Sequence, residues 1–546
     1  MSPRTWTYGR HAVDPKARVA DHVAMSGVDE SSPPRGRTEP GGTSAGTRAF
    51  RGGVWQALAQ VAPYAYTVIV SVVAARILGP ERMGRQSFIA FAVTTAQSVT
   101  AGGFGMSLLR YVGELRGQRR ERALPSLVGW AWQISAAAGA LGALPLLAVA
   151  LAGAKPTWAW VFGAAAVVAG ALHRAQGTVL IGTERWRSHA VILLVTGAAS
   201  VVATLAVLLL GGGISGMLAV IAATAAAMLV WTTVVVQRVL APLQREREPL
   251  GEIRRELVKF ALASSVPLIL GLIVLQRSEL FFLERFSSDS QIALYSIAFS
   301  ATAALIAVPS VIGAVLIPSV ATLVGSGDFD RIRRGYSRVV RLSLLFALPL
   351  TGAALALGPD LLALVYGHRY ARAGDVFLIV VVTLPLAPLS GASGALLAGY
   401  GRIRAPIVVS SIAAVVDLAL AAVLVPRFDA IGAGIANTCA FSIAAALALG
   451  YAVKLVGGLQ LGLRSVARVG LVSAIAAGLA RLVLAASDSP GLFVVAAAVE
   501  IAALGLGALA LRIVPEEDAA FLASALGLGP ALTRALSRLA GPALDA

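Results

Sequence analysis

Arg277 and Glu279 stand two residues apart in the run IVLQRSELFFLERF, residues 273–286, whose other side chains are mostly apolar. A guanidinium stays charged and offers a planar fork that fits phosphate oxygens. A carboxyl beside it can either orient that fork or take up a coupling proton or sodium ion. Gln276 precedes the pair, and the remaining candidates of the same kind are scattered: Arg174 and Arg110 as cations, Gln60 as an amide, Asp417 as a carboxylate and Asn437 as an amide. On a continuous helix, positions two apart lie on different faces, so Arg277 and Glu279 would need separate partners or a wet cavity. Each candidate also has a plainer reading. Arg277 can snorkel to an interface; His173 and Arg174 can sit at an interface near a helix end. Asp417 and Glu500 can be structural, and Asn437, in the small-residue run GAGIANTCA, can be helix-packing glue. The five histidines form no HExxH pattern, no Walker motif is present, and a single cysteine, Cys439, precludes a disulfide within the chain.

The elements that must position these groups are membrane helices. Hydrophobic residues make up 57% of the 546 and charged ones 13%, with a mean hydropathy of +0.80, which defines an all-α integral membrane protein. A charge at membrane depth costs roughly 2.5–3.5 kcal/mol, so the short list above marks cavities or partners. Fourteen spans are expected, near 54–78, 87–109, 126–152, 157–181, 189–210, 214–236, 258–283, 292–323, 339–357, 374–398, 405–425, 431–453, 466–486 and 491–512. Lys and Arg accumulate in alternate loops such as RYVGELRGQRRERA and QRVLAPLQREREPLGEIRRELVK, which places those loops and both termini in the cytoplasm. The same rule accounts for the excess of 45 Lys and Arg over 28 Asp and Glu without nucleic acid. The loops of the other set are short and leave no room for an extramembrane catalytic domain, so no enzyme activity is expected. Residues 1–50, rich in Pro, Gly, Ser and Arg, are expected to be a disordered cytosolic tail with no signal-peptide pattern, and Met25 is an alternative start.

VVAARILGPERMGRQSFIAF, residues 72–91, can be laid over LFFLERFSSDSQIALYSIAF, residues 280–299, matching Arg76 with Arg285 and Phe91 with Phe299 across a one-residue gap. If this is a duplication, residues 51–253 and 254–455 are two six-helix lobes related by a parallel pseudo-two-fold axis. Residues 456–513 then carry two extra spans, and 514–546 form a cytoplasmic tail. Pro267, Pro309, Pro318, Pro385 and Pro388 fall inside spans, where proline frees a carbonyl and bends the helix. The final stretch is read as a solvated tail, because Gly527, Gly529 and Pro530 interrupt its helical pattern. As a surface helix it would instead suit a scaffold that recruits cell-wall enzymes.

QIALYSIAF, VLIPSVATL, LVYGHRYARAGDVFLIV, LLAGYGRIRAP and VPRFDAIGAGIANTCAFSI resemble the polysaccharide-biosynthesis (Wzx-type) flippases of the multidrug/oligosaccharidyl-lipid/polysaccharide exporter superfamily. The resemblance covers about residues 50–455, and spans 13 and 14 match the fourteen-helix members. It implies a V-shaped pair of lobes around a central cavity. It also implies export of an undecaprenyl-pyrophosphate-linked oligosaccharide by alternating access, from a monomer that works beside the glycosyltransferases and polymerase of its pathway. Arg277 and Glu279 fall where the family often carries a charge in span 7. Lipid II flippases carry arginines inside span 1, whereas this chain has none between Val54 and Ala75, which argues against lipid II as cargo. A multidrug or organic-cation antiporter of the same superfamily is the alternative, with Glu279 and Asp417 as its support. No cofactor is expected beyond a coupling proton or sodium ion.

Overall fold

Two helices of the computed structural model are too long to be single spans. The model describes residues 45–246, 248–251, 253–275, 277–314, 328–400, 402, 404–486, 490–525 and 540–541. Residues 1–50 separate from 51–546 as a unit of their own, and in that first unit only the helical residues from Ala45 onward are described. Helix α1, Ala45–Ala101, has 57 residues. At about 1.5 Å per residue that is roughly 85 Å, against a hydrocarbon core of about 30 Å. It reverses at Gly79, where φ is 78° and ψ 171°. Glycine reaches that positive φ without steric cost, and the following Pro80 supplies no N–H to continue the ladder. Helix α13, Arg404–Val456, reverses in the same manner at Asp429 (φ 50°, ψ −129°).

Between these lie α2 (Phe104–Gly117), α3 (Leu124–Leu151), α4 (Thr157–Gly182), α5 (Trp186–Leu209), α6 (Gly213–Leu240), α7 (Ile253–Leu275), α8 (Glu279–Phe286), α9 (Asp289–Ala314), α10 (Phe329–Tyr366), α11 (Ala373–Val380) and α12 (Leu386–Gly399). After α13 follow α14 (Leu463–Leu484), α15 (Pro490–Leu511) and α16 (Glu516–Ala525), and β1 (Val514–Pro515) pairs in parallel with β2 (Ala540–Gly541). Among the described residues eleven helices are long and apolar enough to cross a membrane. With α1 and α13 each counted twice and the α7–α8 pair added, the total is the fourteen spans anticipated. The tenth span is broken: α11 ends at Val380, a single 3₁₀ turn follows, and α12 resumes at Leu386 beyond Pro385. Pro388 lies within α12, and Pro318 lies outside the described residues.

Helices α2 to α6 pack chiefly on one another, as do α8 to α15, while α7 touches both sets through α2 and α13. The two halves meet at both ends. At the end with the basic loops, the Gly103 N–H donates to Ser265 Oγ at 2.8 Å. A Cβ on Gly103 would fall 2.4 Å from the Ala261 carbonyl oxygen, so only glycine permits that approach. At the opposite end, Arg76 donates through Nε to Val365 O and through Nη2 to Leu364 O, both at 2.7 Å. These are carbonyls of the last turn of α10, which lack intrahelical donors. The Tyr370 hydroxyl donates to Ala75 O at 2.9 Å, and Arg85 pairs with Glu284.

Two expectations change. The basic stretch before the expected ninth span at 339–357 is helical and forms the first part of α10, which starts at Phe329 and is capped by the Asp328 carboxylate, accepting from Arg331 N–H. The stretch after residue 513 is not simply a solvated tail, since α16 docks through Asp518, which is 0% exposed. Arg341, 3% exposed, grips Asp518 with both arms, Nε to Oδ2 at 2.5 Å and Nη2 to Oδ1 at 2.7 Å, and donates a third bond to Gln460 O. Gly527, Gly529 and Pro530 lie outside the described residues. Removing one partner of a buried pair strands the other charge, at a cost of roughly 3–5 kcal/mol. Asp518→Asn is therefore expected to lower the melting temperature in detergent and open residues 516–525 to protease. Arg341→Met with Asp518→Leu should recover most of the loss, as read by scanning fluorimetry and limited proteolysis.

Candidate functional site

The seventh span breaks where its charges lie. α7 ends at Leu275 and α8 begins at Glu279; between them Arg277 adopts φ 60°, a left-handed conformation unusual for a residue with a Cβ. The helical-face reasoning applied to Arg277 and Glu279 therefore fails, because no continuous helix joins them. The break sends the two side chains to different surroundings.

Arg277 borders a cavity of about 370 Å³ walled by both turns of α1, by α5 and α6, and by α9. Its guanidinium lies 5.2 Å from the centre of the Phe299 ring, a cation–π contact that holds the fork without neutralising it. The wall is rich in hydroxyl and amide groups, among them Tyr66, Thr67, Gln86, Ser200 and Thr224, and among the described lining residues Arg277 is the sole charge. Ser296 and Ser300 also line it, one turn apart on α9 and hence on one face. Sequence reasoning missed these hydroxyls, because isolated Ser and Thr in apolar spans carry no distinctive spacing.

Glu279 turns into the second set of helices and is 0% exposed, as is Asp417. Tyr295 donates to Glu279 Oε2 at 2.9 Å, and Ser278 donates to Asp417 Oδ2 at 2.6 Å. Glu279 Oε1 and Asp417 Oδ1 have no donor at hydrogen-bond geometry, although the two carboxyls and Asn437 are mutual neighbours. Two carboxyls this close in a low-dielectric interior make a natural place for a shared proton or a bound cation. The structure thus brings Glu279, Asp417 and Asn437 together, away from the cavity.

The other candidates are dispersed. Arg174 donates to Gln97 Oε1 at 3.3 Å, one helical turn from the cavity residue Thr94. His173 is not at an interface but buried, with Nδ1 3.1 Å from Thr232 Oγ1, and its ring is stacked on that of His189. Arg110 is not brought to the cavity; its guanidinium lies 4.7 Å from the centre of the Phe260 ring, where the halves meet at the basic end. Gln60 lies in α1, with its side chain outside what is described, and Gln276 lies outside the described residues. Glu500 is buried in α15 with both carboxyl oxygens lacking a partner.

Solved structures with this fold are transporters. The chain is similar to a lipid II flippase, MurJ, in an inward closed conformation (13% identity, TM-score 0.65, covering 83% of this chain and 97% of that one). It is also similar to an inward-facing multidrug-resistance MATE family transporter of the MOP superfamily (14%, 0.61, 73% and 98%), and to a MATE protein in a bent conformation (15%, 0.56, 76% and 95%). No curated protein sequence matches. The fold is that of a multi-pass membrane protein. Residues 49–324 match the polysaccharide biosynthesis protein family model and residues 259–423 the MatE model. The chain belongs to the polysaccharide biosynthesis protein family, within the exporter superfamily that the sequence motifs indicated.

Tyr295→Phe would leave a buried carboxyl oxygen of Glu279 without its donor, which costs about 1–3 kcal/mol. The melting temperature in detergent is expected to fall accordingly, while cavity access at position 277 should not change.

Proposed function

We propose that the chain moves an undecaprenyl-pyrophosphate-linked oligosaccharide, a polysaccharide repeat unit, from the cytoplasmic to the outer leaflet by alternating access. The observation that carries this reading is the cavity wall: a guanidinium, many hydroxyl and amide groups, and no carboxylate among its described residues. That wall suits an anionic, hydroxyl-rich headgroup, which would otherwise shed its water in hydrocarbon at a cost far above thermal energy. Family membership and the likeness to a lipid II flippase support a lipid-linked cargo. Span 1 lacks internal arginines, which favours a glycan other than lipid II. The lobes are residues 51–253 and 254–455, with 456–513 appended, and the basic loops and both termini face the cytoplasm. The protein acts as a monomer beside the glycosyltransferases and polymerase of its pathway.

An inside-negative potential drives an anion outward by about 2.3 kcal/mol per charge per 100 mV, so a diphosphate gains roughly 4–5 kcal/mol. Glu279 and Asp417 take up the coupling ion, a proton or sodium, and because Ser278 and Glu279 adjoin Arg277, ion occupancy sets the geometry of the break. A multidrug antiporter is the second reading, favoured by the MatE match and by these two carboxyls. Those carboxyls, however, face away from the cavity.

The test is flipping of a fluorescent undecaprenyl-pyrophosphate oligosaccharide in proteoliposomes under an imposed potential. Arg277→Gln is expected to slow it roughly 10- to 100-fold, the worth of one charge-assisted contact, and Arg277→Glu to abolish it. Organic-cation export that survives or improves in Arg277→Glu would instead establish the antiporter. Glu279→Gln is expected to remove dependence on sodium or on a pH gradient while leaving the potential-driven component. Equal ion dependence in Glu279→Gln and in the unaltered protein would exclude the carboxyl pair as the coupling site.

A further inference from the structure

Tyr66 is held on the cavity wall from two sides. Its hydroxyl donates to the Leu194 carbonyl of α5 at 3.0 Å, a carbonyl with a second lone pair to offer. Its ring edge rests against Gly197, where a Cβ would come within 2.4 Å of Cε2 and 2.5 Å of Cδ2. Glycine one turn from the anchoring carbonyl is what lets the ring lie close to α5. The ring is thus fixed before any ligand arrives, and it borders the same cavity as Arg277. Ser296 borders the same cavity and is 4% exposed, and its buried Oγ has no hydrogen-bond partner. A buried hydroxyl left unpartnered in a cavity wall calls for a polar ligand atom.

An immobilised aromatic ring, an unpartnered hydroxyl and a guanidinium bordering one cavity form three distinct recognition elements. The electron-rich ring face suits the C–H face of a pyranose, the serine suits a sugar hydroxyl, and the guanidinium suits phosphate. We propose that Tyr66 is the stacking platform for the first saccharide of the headgroup, with Ser296 as its hydrogen-bonding counterpart and Arg277 holding the adjoining phosphate. This rests on the reading of the cargo as a phosphorylated glycolipid and adds to it that the protein senses the sugar as well as the charge. Because the ring is preorganised, stacking loses little side-chain entropy.

The experiment measures binding of two probes to the purified full-length protein: undecaprenyl pyrophosphate, and the same lipid carrying one N-acetylglucosamine. The unaltered protein is expected to prefer the sugar-bearing lipid by roughly 3- to 10-fold. Tyr66→Leu should remove that preference while leaving affinity for bare undecaprenyl pyrophosphate unchanged, and Arg277→Gln should weaken both probes alike. Gly197→Ala, which displaces the ring without deleting it, should also reduce the preference and guards against misfolding of Tyr66→Leu. A preference that persists in both Tyr66→Leu and Gly197→Ala would overturn the platform. So would equal binding of the two probes by the unaltered protein, with the cargo reading left intact. Failure of the unaltered protein to bind either lipid would overturn both.

Discussion

The interruption of the seventh span at Arg277 and Ser278 is the constraint on which the rest of the site depends. A continuous helix through this segment would place Arg277 and Glu279 on neighbouring faces of one cylinder. The left-handed turn at Arg277 separates them instead, sending the cation to a hydroxyl-lined cavity and the carboxyl to a buried pair with Asp417. A non-glycine residue in that conformation costs of order 1–3 kcal/mol and persists only where its surroundings hold it. Here the bond from Ser278 to Asp417 supplies that hold on the far side of the break.

Polar contacts join the two sets of helices at both ends. Gly103 permits backbone-close packing at the basic end, and the Arg76 fork with Tyr370 fastens the other. The end opposite the basic loops also carries apolar packing between the halves, with Phe281 set edge-on to Phe88 and Phe91 of one buried cluster. By contrast, α16 is tied to α10 through the Arg341–Asp518 pair, away from the cavity, and adds rigidity to one half only.

Much of this architecture was legible in the sequence, because span length and the alternation of basic loops are set by the bilayer itself. All fourteen spans could be drawn from hydropathy, and Arg277 stood out because a charge in apolar surroundings is costly. The turn that gives Arg277 its direction could not be read, since no Gly or Pro marks it: the described residues there are Arg277 and Ser278. Asp417 and Asn437, some 140 residues further along the chain from Glu279, gave no sign that they would meet it; proximity across spans is a property of packing. The hydroxyl wall escaped notice for a related reason, as each Ser or Thr is unremarkable until α1, α5, α6 and α9 set them around one space. The docking of α16 was hidden because a buried Arg–Asp pair looks, in sequence, like two ordinary surface charges.

The central claim is that the break turns position 277 toward water and position 279 away from it. It is tested most directly by thiol accessibility in a Cys439→Ala background, with Arg277→Cys and Glu279→Cys each exposed to a negatively charged, membrane-impermeant thiosulfonate. Rapid labelling at 277, slowed by undecaprenyl pyrophosphate, together with no labelling at 279, is the predicted result. Labelling of 279 at a rate equal to or above that of 277, or no labelling at 277 from either side of the membrane, would contradict it.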